Sequence, residues 1–394
     1  MQLRRLHQQI KLAIKVKSSQ SHTATSIFSD HWTLHYGKYT NNKRPIATKV
    51  SEFFDSFDIE IVRCTQFATT PPWTLKTLDV DTSLSTYVNK KEAPELLASI
   101  VRSKIYYEFS GYVHIYTDAS KTTSGRVGIG CYIQSTLTTP EYVFEARLTD
   151  GVSVYTGEMT AVKLAVEKVL MLESTTQYTK FAVFTDSLST AQTFISGRAN
   201  SRPALYAEIL DLIHTVRGRI ILVWLPSHIG IAGNEKADRL ASLGTTRPTV
   251  DIKIGFELRE AYEHADVYIT NLWQQHWDSD PTGRHLYSIR PSVGHKEQHR
   301  FTSRSTEVTS FRLRLGKCRL NANLHQIGCH ETGLCSHCQE PETIQHYIMD
   351  CQFNTVARAL RTTCILRGEK SNVSSILQNN SLIETIHKLS ERRL

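Results

Sequence analysis

A mixed α/β fold is what this sequence predicts, on three observations. Apolar residues alternate with period two between 113 and 133, the signal of strands. Short, almost wholly apolar runs at 181–185 and 220–225 suit strands buried on both faces. Between and after these runs, apolar residues recur at helical spacing. With 394 residues, 40% apolar, 9% aromatic and 21% charged, the chain has material for two or three compact domains, and wholesale disorder is excluded. No run approaches the roughly 18 apolar residues of a transmembrane helix, and the start lacks the apolar stretch and cleavage site of a secretory signal. An intracellular protein, nuclear or cytoplasmic, with no membrane partner is expected. Eight cysteines are too sparse for a disulfide framework, so they read as thiols or metal ligands.

Residues 1–68 open on an amphipathic helix carrying Leu3, Leu6, Ile10 and Ile14 at near-helical spacing. Nine Lys/Arg in residues 1–50 face one acid, Asp30, which equals the whole formal charge of +8. A second basic stretch, 296–319, holds seven Lys/Arg against Glu297 and Glu307. Such tracts favour a polyanion through counterion release at phosphates; either alone is equally well a solvated face. Residues 69–110 read as a linker, with Pro71, Pro72 and scattered Thr, Ser and Asp lacking any period.

The region 111–245 then alternates strand and helix. Val113 and Ile115, then Val127, Ile129, Cys131 and Ile133, form a hairpin, and 142–148 is a third strand. Met159, Val162, Val166, Val169 and Leu170 lie on a helix with Thr156 as its expected N-cap. The strand at 181–185 follows. Leu205, Ile209, Leu212, Ile213 and Val216 make a second helix, opened by Pro203. The strand at 220–225 and a helix starting at Asn234 complete an α/β domain with antiparallel and parallel connections.

Acids in strand settings need a reason, because a buried carboxylate is costly unless paired or bound to metal. Asp118 ends the first strand in Tyr116-Thr117-Asp118-Ala119-Ser120, and Asp186 ends the fourth in Thr185-Asp186-Ser187. Ligands bind at the carboxyl ends of strands in open α/β sheets. Glu158 lies in the first turn of the helix expected from Thr156, and Asp238 lies early in the last helix. Either acid alone is an ordinary helix acid. If the first and fourth strands are neighbours, the four converge on one edge. They cannot all be ionised there without cations. A hard-oxygen set suits Mg²⁺ or Mn²⁺, and two such ions about 3.5–4 Å apart stabilise both attacking and leaving oxygens of a phosphoryl displacement.

These blocks, with Thr156-Gly157-Glu158-Met159-Thr160-Ala161 and the run from Pro226-Ser227-His228 to Asn234-Glu235-Lys236-Ala237-Asp238, resemble the ribonuclease H family, most of all the domain of non-LTR retrotransposons. The resemblance covers about a third of the chain. It implies a mixed five-stranded sheet with flanking helices and two Mg²⁺ or Mn²⁺ ions. Asp118 would bridge both ions, Glu158 and Asp186 would complete the first, and Asp238 the second. His228 would aid proton transfer or product release. Asn234 and Glu235 would shape the loop and helix start, with Asn234, Ser120 and Ser187 facing substrate. The chain departs from cellular relatives at Val154, Tyr155 and Thr156, where asparagines precede the catalytic Glu, and at Leu188, where a Gln is usual. Weak hybrid affinity from this domain alone is expected.

Residues 246–310 read as a helical connector, and 311–394 as a basic, zinc-binding region. Cys335, Cys338, His346 and Cys351 have the spacing Cys-x2-Cys-x7-His-x4-Cys, which can close a tetrahedral zinc site. His325, Cys329, His330 and His337 are alternative ligands, while Cys64, Cys131, Cys318 and Cys364 read as ordinary thiols. Phe311-Arg312-Leu313-Arg314-Leu315-Gly316 is similar to the segment before the terminal zinc motif of Jockey-type retroelement polyproteins, where arginines and zinc module would grip element RNA or DNA. Leu3-Arg4-Arg5-Leu6 and Pro71-Pro72-Trp73 resemble the join to a reverse transcriptase, so Met1 is expected to be internal to an ancestral polyprotein. The expected function is an endoribonuclease hydrolysing the RNA strand of RNA–DNA hybrids. The alternative is a non-catalytic nucleic-acid-binding retroelement remnant acting through the basic tracts and zinc module.

Overall fold

The computed structural model describes residues 2–19, 22, 24, 28, 46–57, 60–61, 76–87, 94–136, 140–294, 301–368, 372–390 and 394. Expectations resting on Asp30, Lys38, Lys43, Arg44, Cys64, Pro71, Pro72, Trp73, Lys296, Glu297 and Arg300 lie outside the described residues. The chain divides into two units, Met1–Asp266 and Val267–Leu394.

The first unit runs α1 (Gln2–Ser18), α2 (Ile46–Phe57), β1 (Asp79–Asp81), α3 (Leu84–Tyr87), α4 (Pro94–Phe109), β2 (Val113–Lys121), β3 (Val127–Ile133), β4 (Tyr142–Leu148), α5 (Val154–Thr175), β5 (Lys180–Thr185), α6 (Leu188–Ser196), α7 (Pro203–Thr215), β6 (Arg219–Trp224) and α8 (Ala232–Thr246), and α9 (Leu258–Ser279) begins in it. The strands form one sheet in the order β1-β6-β5-β2-β3-β4. β2-β3 and β3-β4 are antiparallel, while β5 pairs parallel with β2 and β6. The sheet thus has six strands where five were expected. The sixth is β1, which pairs parallel with β6 from within the segment read as linker. Three residues, two of them Asp, are too few to show a period. That segment also holds α4, whose Leu97, Ala98, Val101 and Phe109 are buried.

Period-two alternation sorts the strands' side chains between two cores. Ile115, Val183 and Leu222 face α5 and α7, packing with Val162, Val166, Ile209 and Ile213. Tyr116, Phe184 and Val223 turn to the opposite core, with Val101 of α4 and Ala237 of α8. β5 is buried from Phe181 to Thr185, as a central parallel strand should be. Glycine sets the depth of α8: a Cβ on Gly130 of β3 would lie 2.2 Å from the Ala237 carbonyl oxygen, so helix backbone rests on strand backbone. Asp238 is carried by the stretch of helix that this contact seats.

Thr156 is not the N-cap of α5. Ser153 is, its side chain accepting from the Thr156 amide, so Glu158 lies past the first turn. Thr156 is instead fully buried, because its hydroxyl has polar partners inside. Residues beyond α8 pack within the first unit: Ile252 bridges Leu148, and Phe256 is buried.

The second unit continues with α10 (Arg284–Ile289), α11 (Arg304–Leu315), α12 (Asn321–Gln326), a π-helical turn at His346–Asp350, α13 (Thr355–Arg367), α14 (Val373–Gln378) and α15 (Asn380–Leu389). Its core gathers Leu313, Leu320, Ile348, Leu360, Ile376 and Ile383. Arg314, expected to face nucleic acid, is 3% exposed; it donates to the Leu377 carbonyl at 2.9 Å and to Asn380 Oδ1 at 2.6 Å. Arg312 donates to the Leu394 carbonyl. The basic stretch is therefore partly structural. Arg314→Ala is expected to lower the melting temperature through roughly 1–3 kcal/mol of lost hydrogen bonding. Nucleic-acid affinity of the folded variant should stay near wild type, and a selective loss of affinity without loss of stability would contradict this.

Candidate active site and metal centres

Pairing of β2 with β5 sets Thr117 against Thr185, so the acids that follow them, Asp118 and Asp186, emerge side by side. Glu158 approaches from α5. This approach requires Gly157, where a Cβ would come within 2.7 Å of the Ala119 Cβ. One ligand atom each from Asp118, Glu158 and Asp186 lies within 4.8 Å of the others. Asp118 and Glu158 are 6% and 5% exposed. The Ala119 amide donates to Asp118 Oδ1 at 2.7 Å and to Glu158 Oε1 at 3.2 Å, while the buried Glu158 Oε2 has no hydrogen-bond partner.

Burial and mutual repulsion work against three anionic charges here. Burial first, then the Asp186 charge, pushes the Asp118 carboxyl up to about 8. Burial, then the charges of Asp118 and Asp186, raises Glu158 well above the usual carboxylate range. Burial raises Asp186 too, opposed by the Asn234 hydrogen bond and by His228. Three crowded carboxylates with an unpartnered inward oxygen fit a hard divalent cation, which needs anionic oxygens and no proton.

Asp238 joins a different group. A ligand atom from each of His228, Glu235 and Asp238 lies within 4.8 Å of the others. Both His228 and Asp238 act electrostatically on Asp186, so the two groups are neighbours. Glu235, expected only to shape the helix start, is thus part of the second group, and it also accepts from the Gly230 amide at 3.3 Å. No strand pattern marks it. His228 is exposed, with a left-handed backbone (φ 54°). Arg102 of α4 holds this loop by donating to the Gly230 carbonyl at 3.0 Å.

The residues expected to face substrate divide. Asn234 is 4% exposed and its amide donates to Asp186 Oδ2 at 3.4 Å, so it orients a carboxylate. Ser187 is the N-cap of α6 and its hydroxyl meets Thr190, so the hydroxyl is engaged within the protein. Ser120 lies half-buried near the end of β2, one residue beyond Ala119.

In the second unit, Cys335, Cys338, His346 and Cys351 each place a ligand atom within 4.8 Å of the others. The Cys335–Cys338 turn is closed by Gln339, whose amide donates to the Cys335 carbonyl at 3.0 Å and whose φ is +61°. Cys338 Sγ lies 3.2 Å from His346 Nε2. Burial raises the Cys335 thiol, but hydrogen bonding from the His337 amide, His346 and the Cys338 amide brings it down to about 7. A thiol poised to ionise, among three soft or borderline partners, fits zinc. The alternative ligands stand apart: His325 Nδ1 meets the His330 carbonyl, His330 Nδ1 accepts amides of Thr332 and Gly333, His337 stacks on Phe353, and Cys329 is exposed. Cys131, Cys318 and Cys364 are buried thiols.

Residues 110–246 match the family model described as RNase H. The mixed sheet with helices on both faces is a ribonuclease H-like fold. Among solved structures, one similar chain is that of "LC11-RNase H1 in complex with RNA/DNA hybrid", 19% identical, covering 34% of this chain and 96% of that one, with a TM-score of 0.29. No curated protein matches the chain.

Proposed function

We propose that residues 110–246, which match the ribonuclease H family, hydrolyse the RNA strand of RNA–DNA hybrids with Mg²⁺ or Mn²⁺ held by Asp118, Glu158, Asp186 and Asp238. The observation that carries this is the convergence of buried Asp118 and Glu158 with half-buried Asp186, crowded and left with an unpartnered Glu158 oxygen. When bound, two divalent ions supply Lewis-acid polarisation of the phosphodiester and a reactive water at neutral pH. The chain's own part is positional. The β2–β5 pairing fixes the spacing of two acids, Gly157 admits the third, and Asn234 orients Asp186. His228, exposed beside Asp238 and Glu235, is placed to accept or return a proton at the site's rim.

The wider setting belongs to the same proposal: an intracellular retrotransposon-derived protein of the Jockey type. Residues 1–68 would be a polymerase-connection remnant, 69–110 a join that also lends β1 and α4 to the sheet domain, 246–310 a helical connector, and 311–394 a zinc module contacting element RNA or DNA. Among the described residues no helix is long and apolar enough to cross a membrane. Incubation of the full chain with a labelled hybrid and Mg²⁺, beside single-stranded RNA and duplex DNA, tests the activity. Hybrid-specific cleavage is expected; its absence in folded, cation-loaded protein would leave the non-catalytic alternative.

His228→Ala should slow turnover by roughly 10–100-fold, at or below the low end of a general acid–base contribution. Cation affinity of the three-carboxylate group should be unchanged, since His228 lies outside it. Calorimetric loss of cation binding in this variant would make His228 a ligand instead.

A further inference from the structure

Glu158 owes its place to a helix start, and that start is tied down from outside the family match. Glu260, on α9, sends Oε1 to the Ser153 amide at 2.8 Å and to the Thr156 hydroxyl at 2.7 Å. Ser153 is the N-cap of α5, and Thr156 stands two residues before Glu158. Glu260 Oε2 accepts from Arg202 and, at 3.2 Å, from the Glu257 amide. Arg202 also donates through Nε to the Thr156 hydroxyl oxygen at 2.9 Å and through Nη1 to the Gly255 carbonyl at 2.6 Å. Thr156, Arg202 and Glu260 are 0%, 4% and 6% exposed. Burial works against the Glu260 charge, yet the Arg202 guanidinium and the amide and hydroxyl donors hold its carboxyl below the usual range.

Arg202 carries a further mark. Its backbone is left-handed, φ 60° and ψ 47°, with no side-chain cap for the helix it precedes. A non-glycine residue stays there only where its surroundings over-determine it. Here that conformation accompanies delivery of the guanidinium into the interior. Glu158 Oε1 accepts from the Ala119 amide and Oε2 has no partner to anchor it, so the position of the carboxylate depends on where α5 begins.

We infer that Glu260, locked by Arg202, is a positioning residue for Glu158. It fixes the first turn of α5 through Ser153 and Thr156, so the segment after residue 246 completes the site. The inference rests on the reading of Glu158 as a cation ligand. A cluster that served stability alone would have the same bonds, so the test must separate the two roles.

Full-length Glu260→Ala and the volume-preserving Glu260→Gln are compared with wild type and with Leu172→Ala. Leu172→Ala weakens the far end of the same helix by removing a buried core side chain. Three quantities are read: the Kd for Mn²⁺ alone by calorimetry, the melting temperature in chelator, and kcat with KM for a hybrid. Glu260→Ala should raise the Mn²⁺ Kd about tenfold and lower kcat at least as much, with KM within twofold, and Glu260→Gln should fall between it and wild type. Leu172→Ala should melt lower yet keep the wild-type Mn²⁺ Kd. Thr156→Ser, which keeps the hydroxyl, should restore what Thr156→Val loses. The inference is overturned if Glu260→Ala, or Glu260→Gln should the alanine variant not fold, binds Mn²⁺ within twofold of wild type. It is also overturned if Leu172→Ala weakens Mn²⁺ as much. Because Mn²⁺ binding does not depend on turnover, a wild type that binds Mn²⁺ but cuts no hybrid would refute the nuclease reading, while a weaker Mn²⁺ affinity in Glu260→Ala would still support the positioning role.

Discussion

Asp118→Asn is expected to abolish hybrid cleavage while making the cation-free protein more stable. The loss follows from removing the charge of a proposed cation ligand whose oxygens crowd those of Glu158 and Asp186. Divalent cations contribute several kcal/mol of charge stabilisation, each 1.36 kcal/mol being tenfold, so the fall should be roughly a hundredfold to ten-thousandfold. The gain follows from the same geometry. Without cations, the fold has to bury Asp118 and Glu158 beside a third acid, half-buried Asp186. Asparagine keeps the oxygen that meets the Ala119 amide and removes the repulsion. A gain of about 1 kcal/mol, roughly 2–4 °C in a domain of this size, should appear in chelator and vanish as Mg²⁺ is added. Wild-type cleavage by the variant would remove Asp118 from the site. A lower melting temperature in chelator would show that the crowding costs nothing.

Cys338→Ser is expected to release zinc and unfold the end of the chain while leaving residues 110–246 intact. Apparent binding free energies of structural zinc reach roughly 10–16 kcal/mol in small modules, comparable with the roughly 5–15 kcal/mol that holds a whole domain folded. The ligands span a loop whose Tyr347 and Ile348 belong to the second unit's core, so loosening the metal loosens that core. Elemental analysis should find about one zinc per wild-type chain and little in the variant. Limited proteolysis should then cut beyond residue 311, with nucleic-acid affinity reduced at moderate salt. Zinc-free wild-type protein with a protease-resistant end would refute the zinc site.

The parts of the fold legible in the sequence are those whose signal is local. β4 spans 142–148 as expected, and β5 and β6 depart from their apolar runs by a residue. Asp186 was visible because it follows an apolar strand where a charge has no other reason to be; Asp118, expected to end its strand, interrupts one instead, since pairing with β3 carries β2 on to Lys121. The cysteine spacing named the four side chains that cluster near residue 346. What stayed hidden depends on partners far along the chain. Thr156 reads as a cap from its neighbours alone; Ser153 takes that role, and Thr156 turns inward to Glu260, 104 residues later. Arg314 has the look of a solvated cation because nothing nearby in sequence reveals Leu377 or Asn380. Glu235 gave no signal because a helix-start acid is common.

The short strand β1 has a consequence for handling the protein. It covers β6 through Asp79↔Ile221, Val80↔Leu222 and Asp81↔Val223, and Lys104 of α4 fastens it through Asp81 at 2.8 Å. A fragment trimmed to the family match would begin after β1 and leave β6 as a bare edge of apolar residues. Such an edge is a template for strands of other molecules. Insolubility of that fragment would therefore report unsatisfied backbone at one margin of the sheet, not a defect in the half that carries the carboxylates. An expression piece reaching from before Asp79 to beyond Glu260 keeps that margin closed.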